Sequence, residues 1–241
     1  MKIIVLNDRQ QINQQAASIF ADVINSKEHP VLGLATGSSP VGLYQELIKL
    51  NQEKKIDFSQ VTTVNLDEYW GLEPTHPQSY RYFMNTNLFD HVNIDKAKTY
   101  VPNGLAENPQ QACAQYDQLI ESLGHTDIQL LGVGSNGHLA FNEPDDKLVS
   151  PTHITNLKQS TIEANSRFFD KIEDVPTQAI TMGMGSILKS RKIVLIATGA
   201  AKAEAIRSLT NDYIDPQVPI TLLKLHPDVT IFVDTEAAKY L

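Results

Sequence analysis

Short apolar runs alternate along the chain with segments in which apolar residues recur at helical spacing. Residues 3–6 form an apolar run of four, the size of a buried strand. The next segment repeats its apolar positions every three or four residues, as one face of an α-helix does. Those positions are Ile12, Ala16, Ile19, Phe20, Val23 and Ile24. Alternation of this kind predicts a parallel sheet whose strands are joined by crossover helices.

The same pattern continues to the end of the chain. Further strands are predicted at residues 31–35, 61–66, 128–133, 192–197 and 231–233, and further helices near residues 41–48, 112–123 and 201–209. Residues 145–175 are polar with only a modest helical pattern, and we interpret them as an active-site flap. No linker or internal repeat divides the chain. We therefore predict an α/β fold with a doubly wound, mostly parallel, Rossmann-like sheet in a single domain spanning residues 1–241.

Charge and cysteine content narrow the range of partners and locations. The 241 residues include 20 Lys and Arg against 28 Asp and Glu, a formal net charge of −8. A phosphate backbone attracts clustered basic residues, so nucleic acid is not expected as a partner. The lone Cys113 cannot form an internal disulfide, which favours the cytoplasm. No membrane association is expected, because no apolar run approaches the roughly 18 residues of a membrane span.

Ligands of doubly wound folds bind beyond the carboxyl ends of the strands, so the residues that follow each strand are candidates for chemistry. The strand at residues 31–35 is followed by Thr36, Gly37, Ser38 and Ser39. Their backbone N–H groups and the positive end of the next helix suit a phosphate. Equally, Ser39 could merely cap that helix and Gly37 merely turn the chain. No GxGxxG motif is present, which argues against a nicotinamide cofactor.

Two adjacent carboxylates, Asp67 and Glu68, follow the third strand. Neighbouring residues of an extended chain point to opposite sides, so only one of the two is expected to face the crevice. The other is expected to be solvated or to cap a helix. A solvated loop without function is the ordinary interpretation of such a pair.

The most informative stretch is the glycine-rich loop at residues 132–144, which holds Asn136, His138 and Glu143. A histidine can carry protons near neutral pH, and a carboxylate can orient its ring. The alternative is that His138 binds a backbone carbonyl and Glu143 caps the segment before Pro144.

Farther along, Arg167 and Lys202 are cations that could hold a phosphate. No metal-binding motif is present, so no metal and no cofactor are expected.

Taken together, these segments resemble one family in detail. The sequences LATGSSP at residues 34–40, NLDEY at 65–69, GHLAFNEP at 137–144 and NSRFF at 165–169 are similar to the motifs of glucosamine-6-phosphate deaminases. The likeness runs in order from about residue 30 to about residue 230. Membership implies a Rossmann-like domain and a cofactor-free conversion of glucosamine 6-phosphate and water into fructose 6-phosphate and ammonium.

The resemblance also implies roles for individual residues. Asp67 would move a proton between C2 and C1 of the sugar, and His138, with Glu143 and Asn136, would open the pyranose ring. The phosphate would lie on Thr36, Gly37, Ser38, Ser39, Arg167 and Lys202, and Gly137 would allow close approach of the backbone to the sugar. Many family members carry Asp where this chain has Asn136. An amide can orient the imidazole but cannot stabilise its cation by charge.

Two other functions remain open from the sequence. A 6-phosphogluconolactonase shares the fold, but lactonases lack a carboxylate placed like Glu143. A non-enzymatic sugar-phosphate sensor would need a DNA-binding domain, which the early first strand and the negative charge disfavour.

Larger deaminases form hexamers that N-acetylglucosamine 6-phosphate activates through basic residues. The corresponding residues 150–157 contain no Lys or Arg, and the chain reaches Leu241 soon after its last strand. A monomer or small homo-oligomer without this activation is therefore expected.

Overall fold

The computed structural model describes residues 1–166, 169 and 171–241. In chain order its strands are β1 (Lys2–Leu6), β2 (Val31–Leu34), β3 (Thr62–Asn65), β4 (Asp67–Tyr69), β5 (Thr99–Tyr100), β6 (Ile128–Leu131), β7 (His153–Asn156), β8 (Gln178–Thr181), β9 (Ile193–Ala197) and β10 (Val229–Asp234). Seven of them form a sheet in the order β1-β10-β9-β6-β2-β3-β5, and every neighbouring pair is parallel. The predicted α/β class and its parallel sheet are confirmed.

Helices flank this sheet. They are α1 (Arg9–Ser26), α2 (Val41–Gln52), α3 (Tyr80–Asn87), α4 (Pro109–Ser122), α5 (Gln159–Ser166), α6 (Met184–Leu188) and α7 (Ala203–Arg207). The first helix begins where the Asp8 side chain accepts a hydrogen bond from the Gln10 N–H at 2.9 Å, as a helix N-cap does. Of its predicted apolar face, Ile19 and Val23 are only partly buried, while the other four residues are fully buried. Among the described residues, no helix is long and apolar enough to cross a membrane.

A second, three-stranded antiparallel sheet was not predicted. Strand β8 pairs on one side with β4, which follows strand β3 of the larger sheet, and on the other with β7. The predicted flap at residues 145–175 contains the helix α5 where the modest helical pattern begins, and it also contains a strand, β7, that was not predicted. The β7 sequence HITN has no apolar alternation and stays partly exposed, so hydrophobic periodicity carries no signal for it.

The crevice lies where the winding of the sheet changes direction. From β2 the chain runs outward through β3 to β5, and from β6 it runs outward the other way through β9 to β10. Strands β2 and β6 are neighbours, so the loops at their carboxyl ends separate and leave a crevice between them. The loop after β2 holds Thr36 to Ser39, and the loop after β6 holds Asn136 and His138. Topology thus brings the two most distinctive loops of the sequence to one place.

Candidate active site

A cleft of about 610 Å³ occupies this crevice. Most of the residues predicted to carry chemistry line it, namely Thr36, Gly37, Ser38, Ser39, Asp67, Asn136, His138 and Lys202. Glu143 lies directly behind His138. Arg167, which was predicted to bind phosphate, lies outside the described residues. The lining also includes Tyr69, Tyr80 and Phe141, which form an aromatic wall, and Thr161 from α5.

The loop after β2 is free to bind a ligand because it does not cap its own helix. Helix α2 begins at Val41, its N-cap position is Pro40, and no side chain caps it. The predicted N-cap role of Ser39 is therefore wrong, because the N-cap position is one residue later, at Pro40, and Ser39 lines the cleft. Gly37 has a φ of 89°, a backbone conformation that other residues rarely adopt.

A buried tyrosine fixes the start of this loop. The Tyr44 hydroxyl donates to the Ala35 carbonyl at 2.5 Å and accepts from the Ala35 N–H at 3.2 Å. Tyr44 is fully buried, so both backbone groups are satisfied without water. The hydroxyl-rich loop therefore leaves β2 in a defined direction.

Lys202 faces the same cleft, and burial lowers the pKa of its ammonium group.

The two adjacent carboxylates have separate environments. Asp67 lines the cleft but is only 6% exposed. Burial, with a smaller contribution from the neighbouring Glu68 carboxylate, raises the pKa of Asp67 to about 8. A carboxylate held in this way is a stronger base than one in water.

Glu68 points away from the cleft and caps helix α3. Its carboxylate accepts hydrogen bonds from the N–H groups of Tyr69, Tyr80 and Arg81 at 2.9, 2.8 and 2.9 Å. Two of these N–H groups belong to the first turn of α3, where helix N–H groups have no partner within the helix. Glu68 is therefore buried and bonded rather than solvated.

His138 and Glu143 face each other at the second side of the cleft. The His138 Nδ1 atom lies 3.3 Å from the Glu143 Oε1 atom, although the two groups are not aligned for a hydrogen bond. The Asn136 amide donates to Glu143 Oε2 at 2.8 Å, and the Thr161 hydroxyl donates to Oε1 at 2.9 Å. Burial alone would raise the pKa of Glu143, but His138, Asn136 and Thr161 outweigh it and lower the pKa to about 2. Glu143 is thus a permanent anion beside the imidazole.

Two glycines shape the loop that carries His138. Gly137 has a φ of 87°, and a Cβ atom there would lie 2.6 Å from the Val218 Cγ1 atom. Its carbonyl accepts from the Ile220 N–H at 2.8 Å, so the side of Gly137 that would carry a Cβ atom faces residues outside the cleft lining, and the approach of its backbone to the sugar stays a prediction. At Gly134 a Cβ atom would lie 2.2 Å from the His138 ring, so this glycine makes room for the imidazole.

A protein-family model described as glucosamine-6-phosphate isomerases/6-phosphogluconolactonase matches residues 8–232. The chain belongs to this family. The resemblance noted in the sequence is confirmed.

Two curated relatives of high identity are glucosamine-6-phosphate deaminases. A glucosamine-6-phosphate deaminase of Clostridium beijerinckii is 55% identical over 238 residues, covering 99% of this chain and 98% of that protein. A glucosamine-6-phosphate deaminase of Clostridium perfringens is 53% identical over 241 residues, covering 100% of both. The solved structure of a monomeric glucosamine-6-phosphate deaminase superposes with a TM-score of 0.97, 45% identity and full coverage of both chains.

The likeness to a solved lactonase is one of fold alone. The 6-phosphogluconolactonase of Thermotoga maritima superposes with a TM-score of 0.75 at 18% identity, covering 97% of this chain and 98% of that one. The enzyme class supported by the family comparison is therefore the deaminase. Within residues 1–166, 169 and 171–241, no three histidine, cysteine, aspartate or glutamate side chains converge on a point that could hold a metal ion.

Proposed function

We propose that this chain converts glucosamine 6-phosphate and water into fructose 6-phosphate and ammonium, with Asp67 and His138 moving the protons. One observation carries the assignment of roles. A buried carboxylate whose pKa is raised to about 8 and an imidazole backed by a permanent carboxylate line the same cleft. Aldose–ketose conversion needs two such groups, one for a carbon-bound proton and one for oxygen-bound protons.

The proposed reaction begins with ring opening at His138. Its Nδ1 atom faces Glu143, which leaves Nε2 to take the proton of the C1 hydroxyl and deliver one to the ring oxygen. Asn136 does not contact the imidazole Nδ1 but donates to Glu143, and its carbonyl accepts from the His138 N–H at 3.1 Å. The charge that supports an imidazolium therefore comes from Glu143, and an amide at position 136 is compatible with charge-assisted ring opening.

The second stage is proton transfer between carbons at Asp67. The carboxylate removes the proton from C2 of the open aldose, which gives an enolamine, and returns a proton to C1, which gives an imine at C2. Water adds to the imine, and ammonia leaves as ammonium, so atoms and charge balance. The positive ammonium group of the incoming amino sugar favours ionised Asp67 over the protonated form that its raised pKa implies in the empty cleft.

The phosphate is proposed to lie between the loop after β2 and Lys202. That loop supplies the hydroxyls of Thr36, Ser38 and Ser39, and a phosphate at Lys202 offsets the desolvation of its ammonium group. Arg167 remains a predicted second cation. The cytoplasmic location predicted from Cys113 also stays a prediction.

The function is tested by supplying the purified protein with glucosamine 6-phosphate or with 6-phosphogluconolactone. We expect equal amounts of ammonium and fructose 6-phosphate from the amino sugar, without added metal or cofactor, and no enzymatic hydrolysis of the lactone. Turnover of the lactone alone would reject the deaminase assignment in favour of the lactonase.

Lys202→Ala is expected to raise KM for glucosamine 6-phosphate about 10- to 100-fold. The variant loses a charge-assisted contact of roughly 1.5–3 kcal/mol. Lys189→Ala is the matched control, because Lys189 is exposed and pairs with Glu121 at the surface. Initial rates over a range of substrate concentrations separate the two variants, and an unchanged KM in Lys202→Ala would place the phosphate elsewhere.

We further propose a monomer or small homo-oligomer that N-acetylglucosamine 6-phosphate does not activate. Residues 150–157 lack Lys and Arg, and the donors of Thr152 are already engaged. Its N–H and hydroxyl donate to the Asp117 carboxylate at 2.8 and 2.6 Å. An anion held at this place would repel a phosphate. We expect hyperbolic rate curves with and without N-acetylglucosamine 6-phosphate; a sigmoidal curve that this compound makes hyperbolic would contradict the proposal.

A further inference from the structure

We propose that Thr161 is a positioning residue whose hydroxyl holds the Glu143 carboxylate against His138. The inference rests on the function proposed above and assigns to the flap a part in ring opening. It starts from one contact, the 2.9 Å hydrogen bond from Thr161 Oγ1 to Glu143 Oε1. That contact joins helix α5 to the loop that follows β6.

The Glu143 carboxylate has a different partner on each oxygen. Asn136 donates to Oε2, and Thr161 donates to Oε1, the oxygen that faces His138 Nδ1. The His138 contact itself is not aligned for a hydrogen bond. The hydroxyl of Thr161 is therefore the bonded group that fixes the oxygen nearest the imidazole. Removing it leaves the carboxylate held through Oε2 alone.

Helix α5 and the two residues before it are attached to this loop at two further places. The Lys158 ammonium donates to the Pro144 carbonyl at 2.9 Å. Phe141, Leu157 and Ile162 belong to one apolar cluster beneath the flap. Helix α5 thus stays attached to the loop when the hydroxyl is removed, so a substitution at Thr161 acts on the carboxylate more than on the flap.

The expected consequence falls on catalysis rather than on binding. A carboxylate that turns away from Nδ1 gives less support to the imidazolium that forms when His138 takes a proton. The phosphate contacts proposed for Ser39 and Lys202 lie on other segments and do not change. Loss of the hydroxyl should therefore lower kcat while leaving the affinity for an open-chain sugar phosphate intact.

The experiment compares Thr161→Val, which keeps the shape of the side chain, with Thr161→Ser, which keeps the hydroxyl. Thr155→Val is the matched control, because Thr155 lies in β7 of the same flap and its hydroxyl donates to the neighbouring Asn156 carbonyl at 3.5 Å, not to Glu143. Binding is measured with 2-amino-2-deoxyglucitol 6-phosphate, a reduced sugar that has no ring to open. We expect kcat about tenfold lower in Thr161→Val, recovery to within about threefold in Thr161→Ser, and wild-type kcat in Thr155→Val. The Kd of the reduced sugar should stay within about twofold in all three.

Several outcomes would overturn the inference. These are wild-type kcat in Thr161→Val, a serine variant as impaired as the valine variant, and a Kd weakened by the same factor as kcat. If Lys158→Ala lowers kcat as much as Thr161→Val, attachment of the flap is the cause and the inference is also wrong. Should Thr161→Val fail to fold, Thr161→Ala and Thr161→Ser give the same comparison. A wild-type protein that releases no ammonium would refute the proposed function, which is a separate result.

Discussion

Replacing Asp67 by asparagine is expected to lower ammonium release by about 10⁴-fold or more, the upper end of the range for a removed general base. The amide has the size of the carboxylate but cannot accept the proton from C2. Binding of the sugar phosphate should persist, because the proposed phosphate contacts lie on other segments. Ammonium release is measured under saturating glucosamine 6-phosphate, and turnover near that of the wild type would show that Asp67 is not the base.

The neighbouring carboxylate, Glu68, provides a control that should change stability rather than catalysis. Glu68→Gln places an NH₂ group among the N–H donors of Tyr69, Tyr80 and Arg81, so it should mainly lower thermal stability.

Asp67→Asn should instead gain stability relative to the wild type as pH rises. Between the ordinary pKa of 3.8 and the raised value of about 8, folded Asp67 keeps a proton that the unfolded chain releases, so wild-type stability falls across this window. Melting temperatures of the three proteins from pH 5 to pH 8 test this difference.

Replacing His138 by glutamine is expected to lower kcat by about 10² to 10⁴-fold, the usual contribution of a general acid–base group. Glutamine fills much of the same space and can form hydrogen bonds, but it cannot carry a proton. The loss should be smaller when the substrate is already open-chain, because His138 is assigned to ring opening. His29→Gln is the matched control, since His29 is exposed at the surface beside Glu28. A kcat within about tenfold of the wild type would remove His138 from the mechanism.

Much of the central sheet could be predicted because its strands are buried on both faces. Strands β2, β6 and β9 are buried along their whole length, so each is an apolar run in the sequence, interrupted in β6 by the buried Gln129. Helix α1 was predictable for a related reason, since one of its faces is apolar. Because the carboxyl ends of parallel strands share one edge, the loops that hold Ser39 and His138 could be placed near one another without a structure.

The rest of the site depends on contacts that leave no local pattern. Strand β4 has the sequence DEY, and its Glu68 carboxylate is buried because it meets the first turn of α3, which lies 12 residues farther along the chain. Thr161 belongs to a polar segment, and only the position of α5 brings it to Glu143. Gly134 could have been noticed, since a glycine in the loop that carries a histidine can make room for the ring.

The most direct test of the account is to run the reaction in deuterium oxide and examine fructose 6-phosphate by NMR. If a single base on one face of the open sugar moves the proton, the hydrogen added at C1 enters one of the two C1 positions only, whether carried from C2 or exchanged with solvent. We predict that stereospecific product, one ammonium for each ketose, and neither in Asp67→Asn. Deuterium spread equally over both C1 positions, or ammonium released with glucose 6-phosphate as the sugar product, would contradict the account.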